Sequence, residues 1–377
     1  MKIRLLIPTV LALIAFIGCQ QSAKKASWSG QMQNMSKDIQ RLIPYIYDKP
    51  AFEAPENKTR ITTALNDLAH QSHKIPEEMG KKFLGDDPIV GFSLSHLKSD
   101  LSRAAYAFSV GQTDYSRSVL KSSIGHCFRC HSLTTMGSEA RWDASEFNHL
   151  ELTAEEKLDL LVAARKYKEA FQFGEEKLSQ PELIQKNPLV FENLLRKYLA
   201  LSLRLNEKPQ AALKDLDRVL AHKELPVYMA KQVKAWRDSL SGWDKNKSKG
   251  DFIDQAQKRI TQAKRLQEYA YDHAGDVDYI WATDILHEGL RKPRRAKDEA
   301  KAYFLLGLSY EVLDDLGSYG LHEAYFEACV KKDPHTQLAR RCFDRLEASL
   351  VQGFSGSSGL SLPSDEKQRL KTLKELL

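Results

Sequence analysis

The sequence predicts an all-α protein, and three observations carry that expectation. Helix-forming residues dominate the 377 residues, while Gly and Pro number only 19 and 13. Apolar residues recur at three- and four-residue steps along most of the chain. In the second half, small residues recur as they do where helix pairs pack closely. The length suggests about two domains. With 42% hydrophobic and 28% charged residues, the composition suits a water-facing protein once exported.

The N-terminus reads as an export signal over residues 1–18. Lys2 and Arg4 precede an apolar run, Leu5 to Ile17, that is short for a membrane span. The formal charge is +6, and removal of Lys2 and Arg4 leaves +4. A balance so small and dispersed does not point to nucleic acid. The run ends Phe16-Ile17-Gly18-Cys19, which resembles a bacterial lipoprotein box with Phe16 where Leu is usual. That resemblance implies an acylated Cys19, held at a membrane surface by its acyl chains. Gln20 follows instead of Asp, which by similarity to sorted bacterial lipoproteins implies the outer membrane of a Gram-negative cell. Residues 19–29 are mostly polar and small, as in a flexible tether.

A first domain is expected over residues 30–142. Trp28 to Tyr47 carries Met32, Met35, Ile39, Leu42, Ile43 and Ile46 at helical spacing, with Pro44 near its end. Thr59 to His73 sets Ile61, Leu65, Leu68 and Ala69 on one face. Pro76 to Gly91 reads as a loop, from Gly80, Gly85, Pro88 and Gly91. Ser93 to Val110 is a third helix that Gly111 stops. Thr113 or Asp114 is expected to cap a fourth, which runs through Val119, Leu120 and Ile124.

That helix ends in Cys127-Phe128-Arg129-Cys130-His131. C-x-x-C-H is the attachment pattern of a c-type haem. Two thiols three residues apart share a helix face and reach one porphyrin, and His131, one turn after Cys127, becomes the proximal iron ligand. Zinc would need a second ligand pair nearby, and a thioredoxin-like site a surrounding strand–helix pattern; neither is present. Export and covalent haem agree, because attachment of this kind is expected outside the cytoplasm.

Four helices with the motif ending the fourth resemble the cytochrome c prime family over roughly residues 30 to 136. The resemblance implies a four-helix haem-binding bundle and, in the family's low-spin branch, a Met from the first helix as the sixth ligand. Met35 stands at that position, with Met32 as its neighbour; in the high-spin branch the position is apolar. His70, His73 and His96 are the other candidates, and an iron with no sixth ligand stays open.

Residues 143–350 read as successive helix pairs of a tetratricopeptide-like repeat domain. Tyr167 to Ala170 resembles the turn and second helix of one unit. Ala200 and Ala212 fit the small packing positions of another. Leu306, Gly307, Tyr310, Ala324, Ala328 and Pro334 form the clearest unit, with an expanded turn around Asp314 to Gly320. Asp244 to Gly250 reads as a loop. Residues 351–377 read as a flexible tail, Gly/Ser-rich at first, with a short final helix from Pro363.

Five cysteines divide into one lipid site, two haem sites, and Cys329 with Cys342. The last two lie on consecutive predicted helices in an oxidising compartment, so a disulfide is expected; two buried free thiols are the alternative. No Ser/His/Asp or paired-carboxylate constellation stands out, so an enzyme is not expected. The functional expectation is a lipid-anchored periplasmic cytochrome that carries single electrons on one covalently attached haem c, its repeats docking a redox or scaffold protein. The alternative is a haem-based gas sensor or an envelope scaffold.

Overall fold

The computed structural model describes residues 28–75, 87–133, 139–205, 209–243, 250–269, 272–314, 316, 319–357 and 359–377. Cys19, residues 76–86 of the loop expected over Pro76 to Gly91, and residues 244–249 of the loop expected over Asp244 to Gly250 lie outside them. The protein is all-α. Among the described residues there are seventeen α-helices, and the only strands are the two-residue pair Ser355–Gly356 and Gly359–Leu360. No described helix is long and apolar enough to cross a membrane.

The first five helices are α1 (Trp28–Ile46), α2 (Lys49–Glu53), α3 (Lys58–His73), α4 (Pro88–Ser109) and α5 (Thr113–His131). α1 buries Met35, Leu42, Ile43 and Ile46, the stripe set by its apolar spacing. α1 packs on α3, α3 on α4 and α4 on α5, while α1 meets α5 only lightly. α4 begins earlier than the glycines suggested. The Asp87 carboxylate accepts from the Ile89 amide at 3.0 Å and Pro88 occupies the first helical position. This cap and the preset proline φ outweigh the cost of Gly91 inside the helix. At the other end Gly111 has φ +82, its amide bonds to the Phe108 carbonyl at 3.1 Å, and the Gln112 amide bonds to Ala107 at 2.8 Å. This paired closure satisfies the last carbonyls and needs a left-handed residue. Neither Thr113 nor Asp114 caps α5. The helix starts at Thr113, after a Gln112 that makes no capping bond, and Asp114 pairs with Lys49 at 2.7 Å.

The remaining helices are α6 (Ala154–Ala163), α7 (Tyr167–Leu178), α8 (Pro181–Lys186), α9 (Pro188–Leu205), α10 (Pro209–Leu220), α11 (Val227–Ser241), α12 (Phe252–Leu266), α13 (Asp276–Leu290), α14 (Ala296–Tyr310), α15 (Leu321–Lys332), α16 (Gln337–Gly353) and α17 (Ser364–Lys374). α6 opens with a reciprocal cap, Thr153 Oγ1 accepting from the Glu156 amide and Glu156 from the Thr153 amide. Small residues set the close approaches. A methyl at Gly307 on α14 would collide with the Phe326 ring on α15, and one at Gly174 with Tyr198. α13 is buried nearly all round although it is not uniformly apolar: Asp276, Asp278, Thr283 and His287 are buried beside its apolar residues. Its Asp276 holds Arg196 of α9 at 2.7 Å with both side chains 1% exposed, a pair that ties helices far apart in sequence.

Cys329 on α15 and Cys342 on α16 are joined by a disulfide across the Asp333–Thr336 turn. The Gly/Ser stretch after α16 folds into the two-strand turn, with Ser355 opposite Leu360. α17 docks instead of fraying: Leu373 is buried, Arg369 pairs with Glu327, and the His335 amide bonds to the Leu376 carbonyl. The apolar core runs without a break from Met35 to Leu373.

Candidate haem site

Cys127 to His131 forms the last turn of α5, so Cys127 and His131 sit one above the other. The two intervening residues anchor this turn. Phe128 is buried in the core, and the buried Arg129 guanidinium lies over the Phe92 ring and donates to the Tyr319 carbonyl at 3.3 Å. The thiols of Cys127 and Cys130 are half-buried and are not joined to each other. Burial, with Cys130 adding to it, pushes the Cys127 thiol up to about 12, and burial raises Cys130 as well. Both are therefore neutral thiols at ordinary pH.

His131 is held from the downstream helices. Its Nδ1 donates to the Ala163 carbonyl at 2.9 Å, at the end of α6. The acceptor requires the Nδ1–H tautomer, so the Nε2 lone pair is the ring's remaining function. Burial first, and then the Arg165 charge, lower the imidazole to about 3 against the pull of the Ala163 and Val162 carbonyls. A neutral ring with one nitrogen hydrogen-bonded is the form that ligates metal.

The turn between α6 and α7 carries this acceptor, and no residue pattern along the chain pairs it with His131. Arg165 adopts φ 59, and the amides of Arg165 and Lys166 bond to Val162 and Leu161 at 2.9 Å each, the same closure that Gly111 makes. A left-handed non-glycine residue costs about 1–3 kcal/mol and persists where its surroundings over-determine it. The Arg165 guanidinium donates to the Tyr167 hydroxyl at 3.0 Å, which in turn donates to the His131 carbonyl at 2.9 Å. Tyr167 was expected only as part of a repeat turn. Nothing in the residue types marks Arg165 as a turn-former.

The candidate sixth ligands separate by position. Met35 is 4% exposed and lines, with Cys127, an apolar cavity between α1, α3, α4 and α5. Met32 is half-buried at the core's edge. His70, His73 and His96 lie on the exterior: His73 meets Ser102 Oγ at 3.1 Å and His96 stacks on Phe92. His126 is tied to Asp100 at 2.8 Å.

These residues fit a covalent haem in their chemistry. The cavity wall is apolar, a Met shares it with Cys127, both thiols are unjoined, and the imidazole is neutral and oriented. The cavity is about 20 Å3, room for a water-sized molecule. A porphyrin is far larger than this space, and of the motif residues only Cys127 lines it; Cys130 and His131 do not. Among the described residues no group of three or more His, Cys, Asp or Glu side chains is arranged to hold a metal ion. Compared with known proteins, the chain matches no family model, no curated protein and no solved structure.

Proposed function

We propose that this chain is a lipid-anchored c-type cytochrome of the bacterial cell envelope that carries single electrons. In this reading α1, α3, α4 and α5 are a four-helix haem-binding bundle similar to the cytochrome c prime family. Cys127 and Cys130 would hold one haem c, with His131 and Met35 as its iron ligands. The observation that carries the reading is the His131 Nδ1 bond to the Ala163 carbonyl, which fixes the Nδ1–H tautomer and leaves Nε2 as the unprotonated ring nitrogen. The later helices act as tetratricopeptide-like repeats that dock a protein partner. Gly307 packed against Phe326 supports that part. Acylated Cys19 would hold the protein on the periplasmic face, at the outer membrane.

When bound, haem supplies a one-electron couple at iron. The chain's own residues do the rest. Ala163 fixes the tautomer and orientation of His131, and Tyr167 and Arg165 brace the turn that presents Ala163. The Met35 thioether raises the potential compared with a His ligand. Leu68, Leu97, Leu101 and Leu120 would keep water from the space beside Met35.

A second reading, diatomic gas binding, is favoured by the small apolar cavity beside Met35. Spectra of the purified protein test both. Haem colour should survive denaturing electrophoresis and vanish in the Cys127→Ser, Cys130→Ser double variant; extraction of the colour by acid acetone would overturn the proposal. A six-coordinate ferric spectrum supports electron transfer, and a high-spin one that binds carbon monoxide without displacing a ligand supports gas binding.

A further inference from the structure

α12, α14 and α16 pack side by side, and their outer faces enclose a groove of about 280 Å3. Phe304 and Leu308 of α14 form its floor. Lys264 of α12 and Arg341 and Arg345 of α16 form its walls, with Asp344 as the one carboxylate among them. Arg345 is partly neutralised by Glu311 at 3.4 Å. Lys264 and Arg341 make no ion pair with any described residue; Arg341 lies over the Phe304 ring at 4.6 Å. Burial first, and then the Arg345 charge, lower the Lys264 amine against the pull of Glu311, with Arg341 adding to the lowering.

We propose that this groove binds an acidic peptide segment of a partner protein, its carboxylates on Lys264 and Arg341 and an apolar side chain on Phe304 and Leu308. The proposal rests on the reading of these helices as a docking domain and names the chemistry of what docks there. Two features favour a peptide over a free anion. The floor is apolar, which a bare phosphate would leave unused. The groove is lined from three helices, and Asp344 beside its basic residues can accept hydrogen bonds from peptide N–H groups. Guanidinium and ammonium groups on carboxylates supply both steering and charge-assisted hydrogen bonds.

The test uses the full-length haem-loaded protein and a short fluorescein-labelled peptide of Asp, Glu and Phe, read by fluorescence anisotropy. Its Asn, Gln and Phe counterpart is the control. The acidic peptide should bind saturably, more weakly as salt rises from about 50 to about 500 mM, and the neutral one should not. Lys264→Ala and Arg341→Ala, both at exposed positions, should each weaken binding about tenfold. No saturable binding, equal binding of the neutral peptide, or full affinity in both variants would overturn the proposal. So would complete displacement by equimolar inorganic phosphate, which would make the groove an adventitious anion site. Haem staining on the same preparation reports separately on the cytochrome reading, so failure of one is not mistaken for failure of the other.

Discussion

His131 Nδ1 and the Ala163 carbonyl oxygen lie 2.9 Å apart, yet their residues end different helices and are separated by 32 positions. The side chain expected to hold iron is thus oriented by the first helix of the following segment. A hydrogen bond to the second nitrogen of a ligating imidazole sets its tautomer and raises its basicity. The turn that supplies this acceptor is stapled to the same residue twice, through Ala163 to the ring and through Tyr167 to the backbone.

The left-handed turn residue gives the first prediction. Arg165→Ala and Arg165→Gly both lose the contact to Tyr167, but only glycine relieves the backbone. The Gly variant should be the more stable of the two by about 1 kcal/mol in chemical denaturation. Coincident midpoints would mean that the turn is not left-handed in solution.

Met35 is tested by a change that keeps its volume. Met35→Leu should fold normally, because Leu and Met exchange at a cost usually below about 1.5 kcal/mol. On the proposed function it should abolish the weak near-infrared band of sulfur-to-iron charge transfer and lower the reduction potential. A wild-type protein without that band would make Met35 a packing residue. A bis-histidine spectrum would instead point to His70 or His73, both exterior in the fold described here.

The pair Asp87 and His287 predicts a pH dependence. His287 Nδ1 meets the Asp87 carboxylate at 2.6 Å and its Nε2 meets the Tyr310 hydroxyl at 2.8 Å. Tyr325 donates to the same carboxylate at 2.7 Å. Burial works against the imidazolium, but Tyr310 and Asp87 outweigh it and raise His287 to about 9. Burial likewise works against the Asp87 carboxylate, and His287 outweighs it and holds its pKa below the usual range. A histidine raised on folding contributes stability fully below its ordinary pKa of 6.5 and loses it as pH climbs through about 9. The lowered carboxylate contributes above its ordinary 3.8 and loses its share as pH falls below that. Stability from this pair should therefore be greatest between the two ordinary values. It should decline by up to about 3 kcal/mol from pH 6.5 to beyond 9. Asp87→Asn should flatten that alkaline decline in thermal unfolding profiles; an unchanged slope would exclude the pair as its source.

The Cys329–Cys342 disulfide closes a short loop, with a sequence separation of 13. In the chain-entropy account such a loop contributes about 3 kcal/mol. Alkylation under denaturing conditions without reductant should label neither cysteine, and reduction should lower the unfolding midpoint. Labelling of both before reduction would show that the bond does not form in the purified protein.

The sequence by itself determined what depends on neighbours along the chain. Helices followed from apolar spacing, the end of α4 from Gly111, and the haem expectation from five consecutive residues whose spacing is set by one porphyrin. Those signals are local, so they survive without a fold. Where two local signals conflicted, as at Asp87-Pro88 against Gly91, only the folded chain shows which one wins. The tertiary structure alone decided which partners distant side chains meet. Ala163 for His131, Asp276 for Arg196, and Asp87 for His287, 200 positions away, share no sequence pattern. Arg165 takes a glycine's conformation because the contacts around it compensate for the strain. The Lys264, Arg341 and Phe304 groove exists only because helices separated by whole turns and loops stack side by side. Such contacts gain their free energy from burial and closure of the completed core, which no window of sequence contains.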